Sequence, residues 1–220
     1  MISSSLNSNP LNNTNKKNHL IPKIGVSGAA DMGFLNEDVY LSAKEVGREI
    51  VKQGAILITG ATTGFPYWTA VGCKEVAGIS VGFSPASNEE EHVSVYRLPV
   101  DYMDFIIYTG FGYNGRDLLF TRSCDAVIIG PGRIGTLHEF AVCYEDQKPL
   151  GILTSKEWET GDLLKVFMEK SHRPNSHVIF DDNPQRLVQR LLDMLPKEKK
   201  HLHVYKNDDG FGGSKGNIML

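Results

Sequence analysis

Residues able to do chemistry gather at a few joints of this 220-residue chain. In GPGRIGT (130–136), an apolar run gives way to a helical pattern at Gly132, Gly135 and Thr136, and Glu139 follows three residues after the threonine. A helix N-terminus offers unpaired backbone N–H groups and a partial positive charge. Glycine lets an anion approach that backbone, and a threonine hydroxyl adds a donor. Gly132, Gly135 and Thr136 therefore read as a phosphate cradle. Two more joints, VSGAADMG (26–33) and TGATTG (59–64), supply Ser27, Gly28, Gly60, Thr62 and Thr63 to complete it. Glu139, in the first turn or so of the helix, has two readings. It is either a carboxylate stabilised by the helix dipole, or a group facing a sugar, where it stabilises an oxocarbenium-like centre or activates a water.

A further stretch, GYNGRDLLFTR (112–122), holds Arg116 and Arg122, six residues apart. A helix beginning near Asn114 or Gly115 would place one arginine at its N-terminal mouth, where the planar guanidinium suits phosphate or carboxylate. A solvated helix arginine is the competing reading for each. Other chemistries lack their residues. There is no G-x-x-x-x-G-K-[ST] and no G-x-G-x-x-G after the first strand, which argues against a P-loop triphosphatase and a dinucleotide fingerprint. No G-x-S-x-G elbow supports a serine hydrolase. His138 beside Glu139 is not a metal site, and no His/Cys cluster has zinc spacing. The pair His201 and His203 lies in the tail and is set aside. Neither a metal nor a cofactor is expected.

The elements that must position these residues alternate along the chain. Val/Ile-rich runs at 23–28, 55–60, 78–83, 104–110, 125–130, 149–153 and 177–180 read as near-continuous apolar strands, as in a parallel sheet covered on both faces. Helical patterns lie between most of them. Residues 37–53 set Val39, Ala43, Val46 and Ile50 on one stripe, with Gly54 as a stop. Residues 134–146 and 184–195 behave likewise, and 84–99 reads as a loop with three consecutive glutamates. The pattern predicts an α/β domain: a Rossmann-like doubly wound sheet, mostly parallel, of about seven strands with helices on both faces and ligands at the strands' carboxyl ends. The domain is expected over 21–196, between an Asn/Ser-rich, disordered segment 1–20 and a flexible polar, Gly-rich tail 197–220.

Bulk properties narrow the class. With 41% hydrophobic and 22% charged residues and a formal charge of -3, one soluble domain is expected, with no nucleic-acid partner. No run approaches the ~20 apolar residues of a membrane span, and no signal-peptide order opens the chain. Cys73, Cys124 and Cys143 sit in apolar segments and read as reduced core thiols. A cytoplasmic location without membrane attachment is expected.

PGRIGTLHE (131–139) is similar to the P-G-G-x-G-T-x-x-E signature of the LOG (Lonely Guy) family of cytokinin riboside 5′-monophosphate phosphoribohydrolases. The family's arginine nine residues before the aspartate that opens the next strand matches Arg116 before Asp125, and Arg122 matches a second family arginine. The resemblance covers roughly residues 22–155. It implies a homodimer or higher homo-oligomer and a nucleoside monophosphate, or similar phosphorylated small molecule, over the loop of Gly132, Arg133, Ile134, Gly135 and Thr136. It also implies catalytic roles for Arg116 and Glu139 in cleaving the N-glycosidic bond. Three departures stand out: Arg133 replaces a motif glycine, Asp117 replaces a lysine, and the second-strand loop carries Phe65, Pro66, Tyr67 and Trp68. Those aromatic residues would either stack on a base or pack on a neighbouring helix. The departures resemble the branch that includes the molybdenum-cofactor carrier proteins, which bind a phosphorylated pterin.

Overall fold

The computed structural model describes residues 20–33, 35–174 and 177–196. The expectations for the N-terminal segment (1–20, but for its last residue), the 197–220 tail and the His201/His203 pair fall outside them. Seven strands form one sheet, all parallel: β1 (Lys23–Ser27), β2 (Ile56–Thr59), β3 (Ser80–Ser84), β4 (Phe105–Tyr108), β5 (Ala126–Ile129), β6 (Leu150–Leu153) and β7 (Val178–Asp181). The spatial order is β4-β3-β2-β1-β5-β6-β7. The chain thus winds outward from β1 to one edge, then returns to the other side of β1 and winds outward again. β1 pairs with both β2 and β5, with Val26 opposite Ile128 and Ser27 opposite Ile129. The loops leaving β1 and β5 part in opposite directions there, and that is where an open α/β sheet has its binding crevice.

The helices are α1 (Asp38–Lys52), α2 (Phe65–Glu75), α3 (Glu89–Ser94), α4 (Gly112–Ser123), α5 (Ile134–Glu145), α6 (Thr160–Lys170) and α7 (Pro184–Asp193). Alternation along the strands sends side chains to two cores. Ile24, Val26, Leu57, Ala126 and Ile128 pack with α1, α2 and α7 through Val46, Ile50, Phe65 and Leu187. Ile58, Val127, Ile129, Leu150 and Ile152 pack with α4, α5 and α6 through Phe120, Phe140 and Leu164. The sheet is therefore covered on both faces, which explains the unbroken apolar runs of the strands.

Two expectations need correction. Residues 84–99 are not all loop. β3 continues to Ser84, and α3 forms because the Asn88 side chain caps it, accepting from the Glu91 N–H at 2.9 Å, with Glu89, Glu90 and Glu91 at its positive end. Helix α4 starts at Gly112, ahead of Asn114, so Arg116 lies in its second turn. The stop after α1 holds: Gly54 takes φ +83°, open to glycine. Cys73, Cys124 and Cys143 are buried and unpaired, and burial pushes the Cys73 and Cys143 thiols up to about 12. Among the described residues no helix is long and apolar enough to cross a membrane.

Candidate functional site

A cavity of about 360 Å³ opens at the carboxyl ends of β1, β2 and β5, lined by the three glycine loops and the start of α4. Its size is in the range of small-molecule sites. Arg116 enters from α4 and is 5% exposed. Its guanidinium lies against the Cα of Gly60, where any Cβ would collide with Nη1. The close approach explains the glycine at the end of β2. Nη1 donates to Glu139 Oε1 at 3.3 Å, and Nε stands 3.4 Å from Asp117 Oδ1. That contact is an ion pair without hydrogen-bond alignment, so Nε is a buried donor lacking a hydrogen-bond partner. Such an orphan in a cavity wall asks for an explanation.

Glu139 comes from α5 and is also buried, accepting a short hydrogen bond from the Ser27 hydroxyl at the end of β1. Burial raises its carboxyl strongly; the Arg116 charge opposes that, while Asp117 adds to it by charge and by hydrogen bonding. The net result is a carboxyl pushed up to about 8, from an ordinary 4.5. Asp117 in turn accepts from His138 Nδ1 at 2.8 Å, with His138 reaching solvent. One guanidinium thus sits between two carboxyl groups, and burial favours the neutral form of Glu139.

The start of α5 forms another wall of the cavity. Gly135 and Thr136 line the cavity, together with Thr62, Thr63, Gly28 and Gly60 from the other loops. The amides of a helix's first turn have no acceptor within the helix. Nothing stands within 4 Å of a Cβ built on Gly135, so the backbone there is open. Arg133 caps α5 and reaches across the mouth to Asp31, Nη2 to Oδ2 at 3.3 Å.

The structure brings Arg116, Glu139, Gly28, Gly60, Thr62, Thr63, Arg133, Gly135 and Thr136 to one cavity, with Ser27 bonded to Glu139 just behind the wall. Other expected residues stand apart. Gly132 N–H donates to Thr160 Oγ1 at 2.9 Å, and its carbonyl accepts from that hydroxyl at 3.1 Å. It is a loop anchor, shaped by the Thr136 side chain a Cβ would strike. The Ile134 side chain is 79% exposed and does not line the cavity. Arg122 does not join the site. Six residues of helix, ~600° of rotation, turn it away from Arg116, and it pairs instead with Asp146 at 3.2 Å. In the second loop, Phe65 is fully buried against Gly28 and Gly130, and Trp68 packs edge-on against Tyr40 of α1 at 5.3 Å. Packing therefore accounts for this bulk, and only Pro66 of the four lines the cavity.

Among the described residues, the aromatic ring at the cavity is Tyr113, which the sequence reading passed over. It is held edge-on by Tyr96 at 5.4 Å, with the Arg116 guanidinium carbon 6.0 Å from its centroid. The i, i+3 spacing of Tyr113 and Arg116 puts them on one helix face and was a usable signal. Asn114 and Asp31 also line the cavity, and Thr160 holds its loop from α6. Nothing local marked Thr160, since its partner is 28 residues away.

A doubly wound parallel sheet with a glycine-lined crevice at its switch point defines the Rossmann-like fold class. Within it, this chain belongs to the SLOG cluster4 family, whose model matches residues 21–188. An uncharacterized protein of Archaeoglobus fulgidus is 31% identical over 131 residues, 60% of this chain and 79% of that one. The molybdenum cofactor binding protein of the phototrophic bacterium Rippkaea orientalis superposes with a TM-score of 0.63. It is 27% identical, over 79% of this chain and 96% of its own. DNA processing protein A of Helicobacter pylori, described with a single-stranded DNA binding mode, superposes at 0.56 with 19% identity, over 80% and 82% of the chains. This last likeness concerns the fold alone. With one such protein built on small-ligand binding and another on DNA, the expected absence of a nucleic-acid partner does not follow from the fold.

Proposed function

We propose that the protein binds a phosphorylated, ring-bearing small molecule, nucleotide-like or pterin-like, in the β1/β5 crevice and carries or senses it without cleaving it at neutral pH. The observation that carries this reading is Asp117. It puts a second carboxyl group beside Arg116 and, with burial, shifts Glu139 toward its neutral form. A neutral carboxylic acid neither stabilises an oxocarbenium ion electrostatically nor takes a proton from water. The open amides at Gly135 and Thr136 suit a phosphate, and Tyr113 offers a ring face. The likeness to a molybdenum cofactor binding protein supports a pterin among the ligand classes. The protein acts as a homodimer on this reading. Exposed Phe105 on edge strand β4, with Phe111 just before α4 and Leu118 and Leu119 on it, supports self-association.

A second reading, a nucleoside 5′-monophosphate phosphoribohydrolase, is favoured by one observation: Arg116 and Glu139 meet in the cavity wall. The two readings separate by pH. Wild-type protein incubated with AMP and GMP at pH 7 should release no free base and no ribose 5-phosphate while binding at least one of them in a calorimeter. A hydrolase using ionised Glu139 would release base, at a rate climbing as pH passes about 8. Steady release at pH 7, abolished by Glu139→Gln, would overturn the carrier reading.

A further inference from the structure

The residue hardest to account for by family likeness is Arg133, at the cap of α5, and its side chain spans the mouth of the cavity it lines. Its Nη2 lies 3.3 Å from Oδ2 of Asp31, on the opposite lip of the cavity. Asp31 is set in place by the Gly33 N–H, which donates to Oδ1 at 3.0 Å. The two loops themselves are fastened: Ala29 N–H donates to the Pro131 carbonyl at 2.7 Å, and Gly130 N–H to the Ser27 carbonyl at 2.8 Å. Backbone is fixed across the mouth, so side chains are what can exchange partners. Both ends of the pair are well exposed, Arg133 at 61% and Asp31 at 69%. Such pairs add little net stability and are readily exchanged.

Resting on the ligand reading above, we propose that Arg133 and Asp31 form an anion-exchange latch, in which Arg133 leaves Asp31 for the phosphate monoester of the incoming ligand. A doubly charged phosphate offers the guanidinium more charge and a bidentate edge, where Asp31 offers one carboxylate at the rim. Arg133 is rooted two residues before the open amide of Gly135, so a phosphate seated there lies close to its backbone. Asp31, released, stays in solvent and loses little. While it holds Arg133, it competes with the phosphate for the guanidinium, whereas an uncharged molecule draws nothing from either partner. Arg133 therefore adds preference for the phosphate group, and Asp31 moderates it, independent of the ring attached.

The test is titration calorimetry of wild type, Arg133→Ala and Asp31→Asn with GMP, guanosine and inorganic phosphate. Both changes are at exposed positions, and circular dichroism verifies the fold. Arg133→Ala should weaken GMP about ten-fold or more, the loss of a charge-assisted pair, and leave guanosine unchanged. Asp31→Asn should tighten GMP about three-fold, the release of an exposed competing pair, again without effect on guanosine. Inorganic phosphate should follow GMP in direction in both variants. Unchanged GMP affinity in either variant, or equal shifts for guanosine, or a GMP effect that phosphate lacks, would overturn the latch while leaving the ligand reading standing. Failure of wild type to bind either GMP or phosphate would overturn both.

Discussion

At the residue scale, the chain concentrates its unusual chemistry in Glu139 and its neighbours. A carboxyl raised from 4.5 to about 8 by burial and by Asp117 is stable in its neutral form. The folded value exceeds the unfolded one, so the stabilisation is fully present below about 4.5 and is lost as pH rises through about 8. Replacing Glu139 by Gln keeps a neutral group of the same shape. Chemical denaturation from pH 5 to 9 should show wild type losing stability on the order of 2 kcal/mol or more, with Glu139→Gln nearly flat. Parallel curves would show that Glu139 titrates normally. Much of this was within reach of the sequence. The Gly-Thr-x-x-Glu spacing put Glu139 on the first turns of α5, and Arg116 was marked by its register before Asp125. The charge balance was not, because it depends on Arg116 and Asp117, neighbours on α4, meeting Glu139 of α5.

At the scale of elements, glycines set two close approaches with different consequences. Gly60 ends β2 under the Arg116 guanidinium, the movable tip of a side chain. Gly47 of α1 lies against the Thr69 carbonyl of α2, where backbone cannot yield. Gly60→Ala should therefore cost little stability but displace Arg116 and weaken binding of a nucleoside monophosphate about ten-fold. Gly47→Ala should cost about 1–3 kcal/mol by overpacking. Urea unfolding and calorimetry on the pair separate the roles, and equal stability losses would refute the assignment for Gly60. The seven strands were legible because a sheet buried on both faces writes itself as apolar runs. The start of α4 was not legible: Phe111 precedes it, no side chain caps it, and so no boundary residue announces it. For α3 the signal was present, Asn88 before three glutamates, and the acidic run masked it as loop.

At the scale of the whole molecule, the winding order places the β1, β2 and β5 loops at one edge, which no single motif could do. The three glycine joints are scattered over more than a hundred residues of sequence and meet because β1 lies between β2 and β5. The same winding leaves β4 at an edge with Phe105 exposed at 63%. If that edge and α4 form the proposed self-association surface, sedimentation should report a dimer for wild type and a monomer for Phe105→Lys, a charge suited to an unpaired edge. A wild-type monomer would refute it. The central claim, a phosphorylated ligand held beside a neutral Glu139, is tested most directly by one comparison. It is the affinity of wild type and of Glu139→Gln for the same nucleoside monophosphate at pH 7, by calorimetry. Affinities within about three-fold are expected, since both side chains are neutral and can meet Ser27 and Asp117 alike. A loss of about ten-fold or more in the variant would mean that an ionised carboxylate is at work, and would contradict the claim.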